Sequence, residues 1–131
     1  MLRRSAVKIS ICGLFLLAMA SPVQLTAETL LRGTVRGSEG GAVAEAVVFI
    51  HWDPSGSEVG LDINIGIKED LVVRTDRRGD FAVKLPPGFY DVLITGMALT
   101  PVCRKIRIRE GHATTFSPRL AADPQVSKEL D

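Results

Sequence analysis

Apolar and polar positions alternate with a period of two along most of this chain, and no segment keeps an apolar stripe at helical spacing over three turns. "LRGTVRG" sets Leu31, Gly33 and Val35 on one face and Arg32, Thr34 and Arg36 on the other. "AEAVVFIHW" sets Ala46, Val48, Ile50 and Trp52 against Val47, Phe49 and His51. Both faces of that run are largely apolar, which predicts a central strand covered on both sides. "LVVRT" is a further strand. Phe81, Val83 and Leu85 alternate with Asp80, Ala82 and Lys84, and Tyr90, Val92 and Ile94 follow the same rule. "VCRKIRIRE" places Ile106 and Ile108 opposite Cys103, Lys105, Arg107 and Arg109. A last strand containing Phe116 is expected over residues 113–120.

The punctuation between these runs is chemically specific. "GSEGG" is a turn. Asp76 and Gly79 suit the first and fourth positions of a type I turn, which predicts a hairpin between "LVVRT" and the strand after it. Pro86, Pro87 and Gly88 end that strand, because proline cannot continue a ladder. Residues 53–70 form a long irregular insertion with one short strand expected near Ile63 to Ile67, placed to cover Phe49. Residues 121–131 read as a frayed polar tail. Turns recurring every 8–12 residues between about seven strands predict an all-β, antiparallel sandwich.

The first thirty residues change the picture of where this happens. Arg3, Arg4 and Lys8 precede an apolar run from Ile9 to Ala20, which is broken by Ser21 and Pro22. This is the pattern of a signal peptide over residues 1–27, with cleavage after Ala27 favoured over Ala20, and the run is too short for a membrane span. Removing it leaves 13 basic against 15 acidic residues, no footprint of a nucleic-acid binder. The expected localisation is exported, periplasmic or extracellular, with no membrane span after cleavage. Cys12 lies in the leader, without a lipobox before it, so Cys103 is alone in the mature domain and the core must supply its stability.

"LRGTVRGSEGGAVAEAVVFI", "TDRRGDFAVKLPPGFYDVLI" and "VCRKIRIREG" together resemble the carboxypeptidase regulatory-like domain. Gly33, Val35, Ala46, Val48, Thr75, Asp76, Gly79, Phe81, Pro87, Gly88 and Tyr90 carry the resemblance, which spans residues 29 to 120. It implies a seven-stranded Greek-key β-sandwich of prealbumin (transthyretin-like) fold over residues 28–120. The family shares no catalytic set, so the resemblance implies no cofactor. The departures are the 53–70 insertion and the domain's standing alone behind a leader; in this family it is more often an appendage. Enzymes of related fold fit poorly. The intradiol dioxygenases hold iron with two Tyr and two His, and Tyr90 is the only tyrosine here. The transthyretin-like hydroxyisourate hydrolases end in Tyr-Arg-Gly-Ser, which "SKELD" does not match.

Few residues invite chemistry. His51, Trp52 and Asp53 form an "HWD" triplet at a strand end; His51 and His112 are the only histidines, too few for a zinc site. Asp53, Asp62, Glu69 and Asp70 could meet a calcium ion, but their spacing fits no calcium loop. Arg78-Gly79-Asp80 is an adhesion-like tripeptide in a turn that needs its glycine regardless. Cys103 shares a face with three cations, which favour a thiolate, and is a candidate reactive thiol or intermolecular disulfide; the alternative is a small residue packed beneath a loop. The arginine-rich face itself reads as a solvated guard against edge pairing. The expectation is a non-enzymatic exported module of the bacterial cell envelope that binds another envelope or secreted protein, with Phe49, His51, Trp52 and Asp53 as the partner surface. A carbohydrate-binding module using Trp52, Phe49 and Phe89, and a small enzyme built on Cys103 or His51, are the alternatives.

Overall fold

The computed structural model describes residues 28–56 and 63–126. The expected leader therefore lies outside the described residues, as does the end of the tail. Nine strands occur among them: β1 (Leu30–Thr34), β2 (Arg36–Gly37), β3 (Val47–Trp52), β4 (Leu71–Arg74), β5 (Asp80–Lys84), β6 (Gly88–Thr95), β7 (Val102–Ile108), β8 (Ala113–Thr115) and β9 (Arg119–Leu120). They form a three-stranded sheet in the order β5-β1-β8, a four-stranded sheet in the order β4-β3-β6-β7, and a small β2-β9 pair. All partners are antiparallel except β1 with β8 and β2 with β9.

One core joins the two larger sheets. Leu31, Val35, Phe81, Leu85 and Phe116 meet Val48, Ile50, Tyr90, Val92, Ile94, Ile106 and Ile108, all buried. These are the inward positions that the alternation predicts. Tyr90 is fully buried, and its hydroxyl donates to the Pro86 carbonyl at 2.6 Å. Burial pushes its ionisation up to about 12, so it stays a neutral donor.

The turn at Asp76 forms as expected, but it does not make a hairpin. Gly79 adopts φ +80° and its N–H donates to the Asp76 carbonyl, while the Asp76 carboxylate accepts from the N–H groups of Arg78 and Asp80. Yet β4 pairs with β3 and β5 pairs with β1, so the turn carries the chain from one sheet to the other. The decisive contacts are non-local. The Gly79 carbonyl accepts from Val35 N–H, and Thr75, 2 % exposed, is bonded to the β3 approach. Its hydroxyl donates to the Val43 carbonyl at 2.6 Å and accepts from Ala46 N–H at 2.9 Å.

Three further expectations are corrected. No strand forms over residues 63–67, where Ile65 and Gly66 N–H both reach one acceptor, the Pro87 carbonyl, instead of a ladder. The last strand is split into β8 and β9 around Phe116, which turns inward; a Cβ on Gly33 would lie 1.7 Å from the Phe116 carbonyl oxygen, so β1 passes there only as glycine. The tail begins tied down: Leu99 bridges Ala122, Thr100 N–H donates to Ala121 and Asp123 N–H to Ala98. No helix among the described residues is long and apolar enough to cross a membrane.

Candidate functional site

Val48 and Ile50 point into the core, so Val47, Phe49 and His51 face outward. Cross-strand register extends each of these into a row. Phe49 lies between Val72 of β4 and Leu93 of β6, and Leu93 is followed by Cys103 of β7. His51 is followed by Asp91 and then Lys105. Phe89 lies beside Arg107.

The "HWD" triplet sits where this face meets the insertion, and each member is engaged. His51 Nδ1 is 2.7 Å from Asp70 Oδ1, joining the strand to the far end of the insertion. Trp52 Nε1 donates to Asn64 Oδ1 at 2.7 Å. The same oxygen accepts from Phe89 N–H at 3.0 Å, and Asn64 Nδ2 donates to the Asp53 carbonyl at 2.9 Å. Asn64 thus plugs the insertion into the sheet rim. Gly66 lies against the Trp52 ring and Gly56 against Phe89, at distances that leave no room for a Cβ. Asp53 completes the clamp: its carboxylate contacts the Lys105 ammonium and accepts from both the N–H and hydroxyl of Ser55. Those bonds, Lys105 first, hold its carboxyl down at about 2. Lys105 also reaches Asp91 at 3.0 Å, and the two carboxylates raise its ionisation above the usual lysine range.

These contacts bear on several sequence expectations. Lys105 is exposed on the edge strand β7 and paired with two carboxylates there, while Arg107 lies over the Phe89 ring, 5.7 Å from its centre. Cys103 is exposed rather than packed under a loop. His51 is two strands and one row away from it, so register gives the thiol no imidazole partner. Asp53 and Asp70 are held by Lys105 and His51, Asp62 lies outside the described residues, and no three His, Cys, Asp or Glu converge as a metal site among the described ones. Asp80 of the adhesion-like tripeptide accepts from the Thr34 hydroxyl at 2.5 Å. The insertion meets the sheet at its rim, through His51, Trp52, Pro87, Phe89 and Lys105.

No protein-family model and no curated protein matches the chain. Solved structures do. The 3-chlorocatechol 1,2-dioxygenase of Rhodococcus opacus 1CP aligns at TM-score 0.51 and 13% identity over 77% of this chain and 64% of its own. The Bacillus anthracis TIE protein aligns at 0.53 and 16% over 73% of this chain and 17% of its own. The dioxygenase domain of a dioxygenase carbohydrate-binding protein fusion from Streptomyces sp. SirexAA-E aligns at 0.51 and 11%, covering 77% and 85%. The chain thus spans less than two thirds of the first two. At such identities the likeness is one of fold alone.

Residues that the sequence reading missed do most of the work here. Asn64 is the hub of the insertion, and its one local signal is a polar residue between two isoleucines. Because it points in, Ile63 and Ile65 point out, 55 % and 62 % exposed. Beside them lies a cleft of about 180 Å³ lined by Ile63, Pro87, Arg107 and His112 among others, below the usual size of a small-molecule site.

Proposed function

We propose that this chain is a non-enzymatic, exported binding module of the cell envelope, built as a seven-stranded prealbumin-like Greek-key sandwich of the carboxypeptidase regulatory-like kind. The strand orders β5-β1-β8 and β4-β3-β6-β7, seven strands over one core, support that fold. The signal-peptide pattern of residues 1–27 supports export.

The observation that carries the function is the clamp. His51, Trp52 and Asp53, the residues with the chemical groups, are spent on fixing the two described ends of the insertion, residues 53–56 and 63–70, to the sheet rim. Beside the exposed Lys68, Glu69 and Asp70, the insertion presents two isoleucines outward, Ile63 and Ile65, on a braced segment. An insertion held to the sheet by four side-chain contacts and displaying isoleucines suits a protein partner. Sugar stacking is the weaker reading, because Trp52 is part-buried beneath Gly66 and Phe89 lies between Gly56 and Arg107. Catalysis as in the dioxygenases is weaker still: the single tyrosine is in the core.

The test is to place a photo-crosslinking residue at Ile63 or Ile65 in the full chain, irradiate intact cell envelopes and identify the adducts by mass spectrometry. One reproducible foreign protein, lost on Asn64→Leu, is expected. Adducts to glycan alone, or none above background, would overturn the reading.

A further inference from the structure

A second surface adjoins the end of the insertion at Asp70. The outward row Val72, Phe49, Leu93, Cys103 runs across all four strands of the β4-β3-β6-β7 sheet. It is apolar from edge to edge, Val72 is 57 % exposed, and Cys103 is exposed. Val47 extends the patch on one side. An apolar row across the full width of a sheet suits an interface better than open solvent.

The charges beside the band say what fits it. On one flank the row reads Arg74, Val47, Thr95. On the other it reads Asp70, His51, Asp91, Lys105. We infer that the occupant is a second copy of this chain, packed sheet on sheet about a two-fold axis lying along the apolar row. That operation leaves each row residue opposite itself: Val72 on Val72, Phe49 on Phe49, Leu93 on Leu93, Cys103 on Cys103. It exchanges the two flanks, so Arg74 of each copy faces the partner's Asp70, and Thr95 faces the partner's Asp91. No like charges meet. The interface is self-complementary, as a two-fold contact must be, and the strands of both copies stay aligned, as in ordinary face-to-face packing.

Four strands at about 4.8 Å and three rows at about 7 Å give a footprint of only about 14 by 14 Å. That is below the area of a standard stable interface, so the dimer is weak and exchanging. Cys103 then serves as a reporter. At one end of the row the two thiols meet across the sheets, where inter-sheet disulfides are sterically feasible.

The experiment uses the full chain carrying Cys12→Ser, so that Cys103 is the only thiol. Diamide is the oxidant: two Cys103 thiols lose two protons and two electrons to form one disulfide, and diamide is reduced to the hydrazine. Disulfide dimer is read by intact mass, and reversible association under reductant by sedimentation. The expected result is a dimer whose yield rises with protein concentration. Val72→Asp, on an exposed position, sets two carboxylates against each other and lowers dimer yield at least about tenfold. Arg74→Asp lowers it too, and Arg74→Asp with Asp70→Arg restores it, which only this pairing of flanks predicts. A monomer that resists oxidation overturns the inference. So does a disulfide yield indifferent to Val72→Asp and to the charge exchange, which marks random collision, and so does association with a foreign protein alone on this face. Val72→Asp and Arg74→Asp touch no clamp residue and leave the Ile63 and Ile65 crosslinks unaffected, so either reading can fail without the other.

Discussion

Asp53 shows how one side chain can be read two ways. In sequence it is an acidic residue beside a histidine; in the fold it is the closing bond of a clamp, taken up by Lys105 and Ser55. Its carboxyl ionises at about 2, below the ordinary 3.8, so the folded state favours the charged form. The contribution is present above about pH 4 and is lost as pH falls through about 2. Trp52, the only tryptophan, lies next to it and reports on the clamp. Trp52 fluorescence is expected to shift in that acid window before the strands unfold, and Asp53→Asn is expected to remove that step and give the shifted spectrum already at neutral pH. Asp76 is also held low, by the N–H groups of Asp80 and Arg78, but it lies in the turn between the sheets; a shift surviving in Asp53→Asn would assign the step there instead. Thr75 makes the opposite kind of bond, buried and neutral. Thr75→Val keeps its shape and strands Ala46 N–H and the Val43 carbonyl, at an expected cost of about 2–3 kcal/mol in chemical denaturation.

Among elements, the described part of the insertion carries its largest number of side-chain contacts on one residue, Asn64. Asn64→Leu fills similar space but leaves the donors of Trp52 and Phe89 without their acceptor. The strands are expected to keep their far-ultraviolet dichroism, while limited proteolysis within residues 53–70 speeds up about tenfold. Unchanged protection would mean that the His51–Asp70 and Asp53–Lys105 bonds suffice. The strands themselves were legible in the sequence, because a two-residue period of Val, Ile, Phe and Tyr admits one inward face. Their partners were not. An Asp76–Gly79 turn has the same chemistry whether the chain folds back on its own strand or crosses to another sheet. The choice is made by Val35 and Val43, more than thirty residues away in sequence, which fill the far side of the turn. The site was legible to a similar depth. "HWD" marked the strand end where the clamp lies, but Asn64, Lys105 and Asp70 join it only through distant pairings, and a polar residue between two isoleucines does not announce its partner.

At the scale of the whole molecule the question is what holds two sheets together when Cys103 is the one free cysteine among the described residues. The answer is the apolar layer between them. Phe116 is its most telling member: it hangs from the break between β8 and β9, reaches the core at 5 % exposure, and its backbone carbonyl crowds Gly33 of β1. Arg104 of β7 lies over its ring, 5.2 Å from the centre, closing the gap between the two sheets. Removing the ring would open a cavity that backbone on both sides cannot collapse. Phe116→Ala is expected to cost about 3–5 kcal/mol. Because every sheet contributes to the same layer, that loss should appear as one transition at neutral pH, with dichroism and Trp52 fluorescence falling together. Reductant should leave the midpoint of the Cys12→Ser monomer where it was, since no internal disulfide can be broken. Two separated transitions in Phe116→Ala would show instead that the four-stranded sheet and its clamped rim keep their order after β1, β5 and β8 have let go, and that the layer holds each sheet to itself more tightly than it holds the two together.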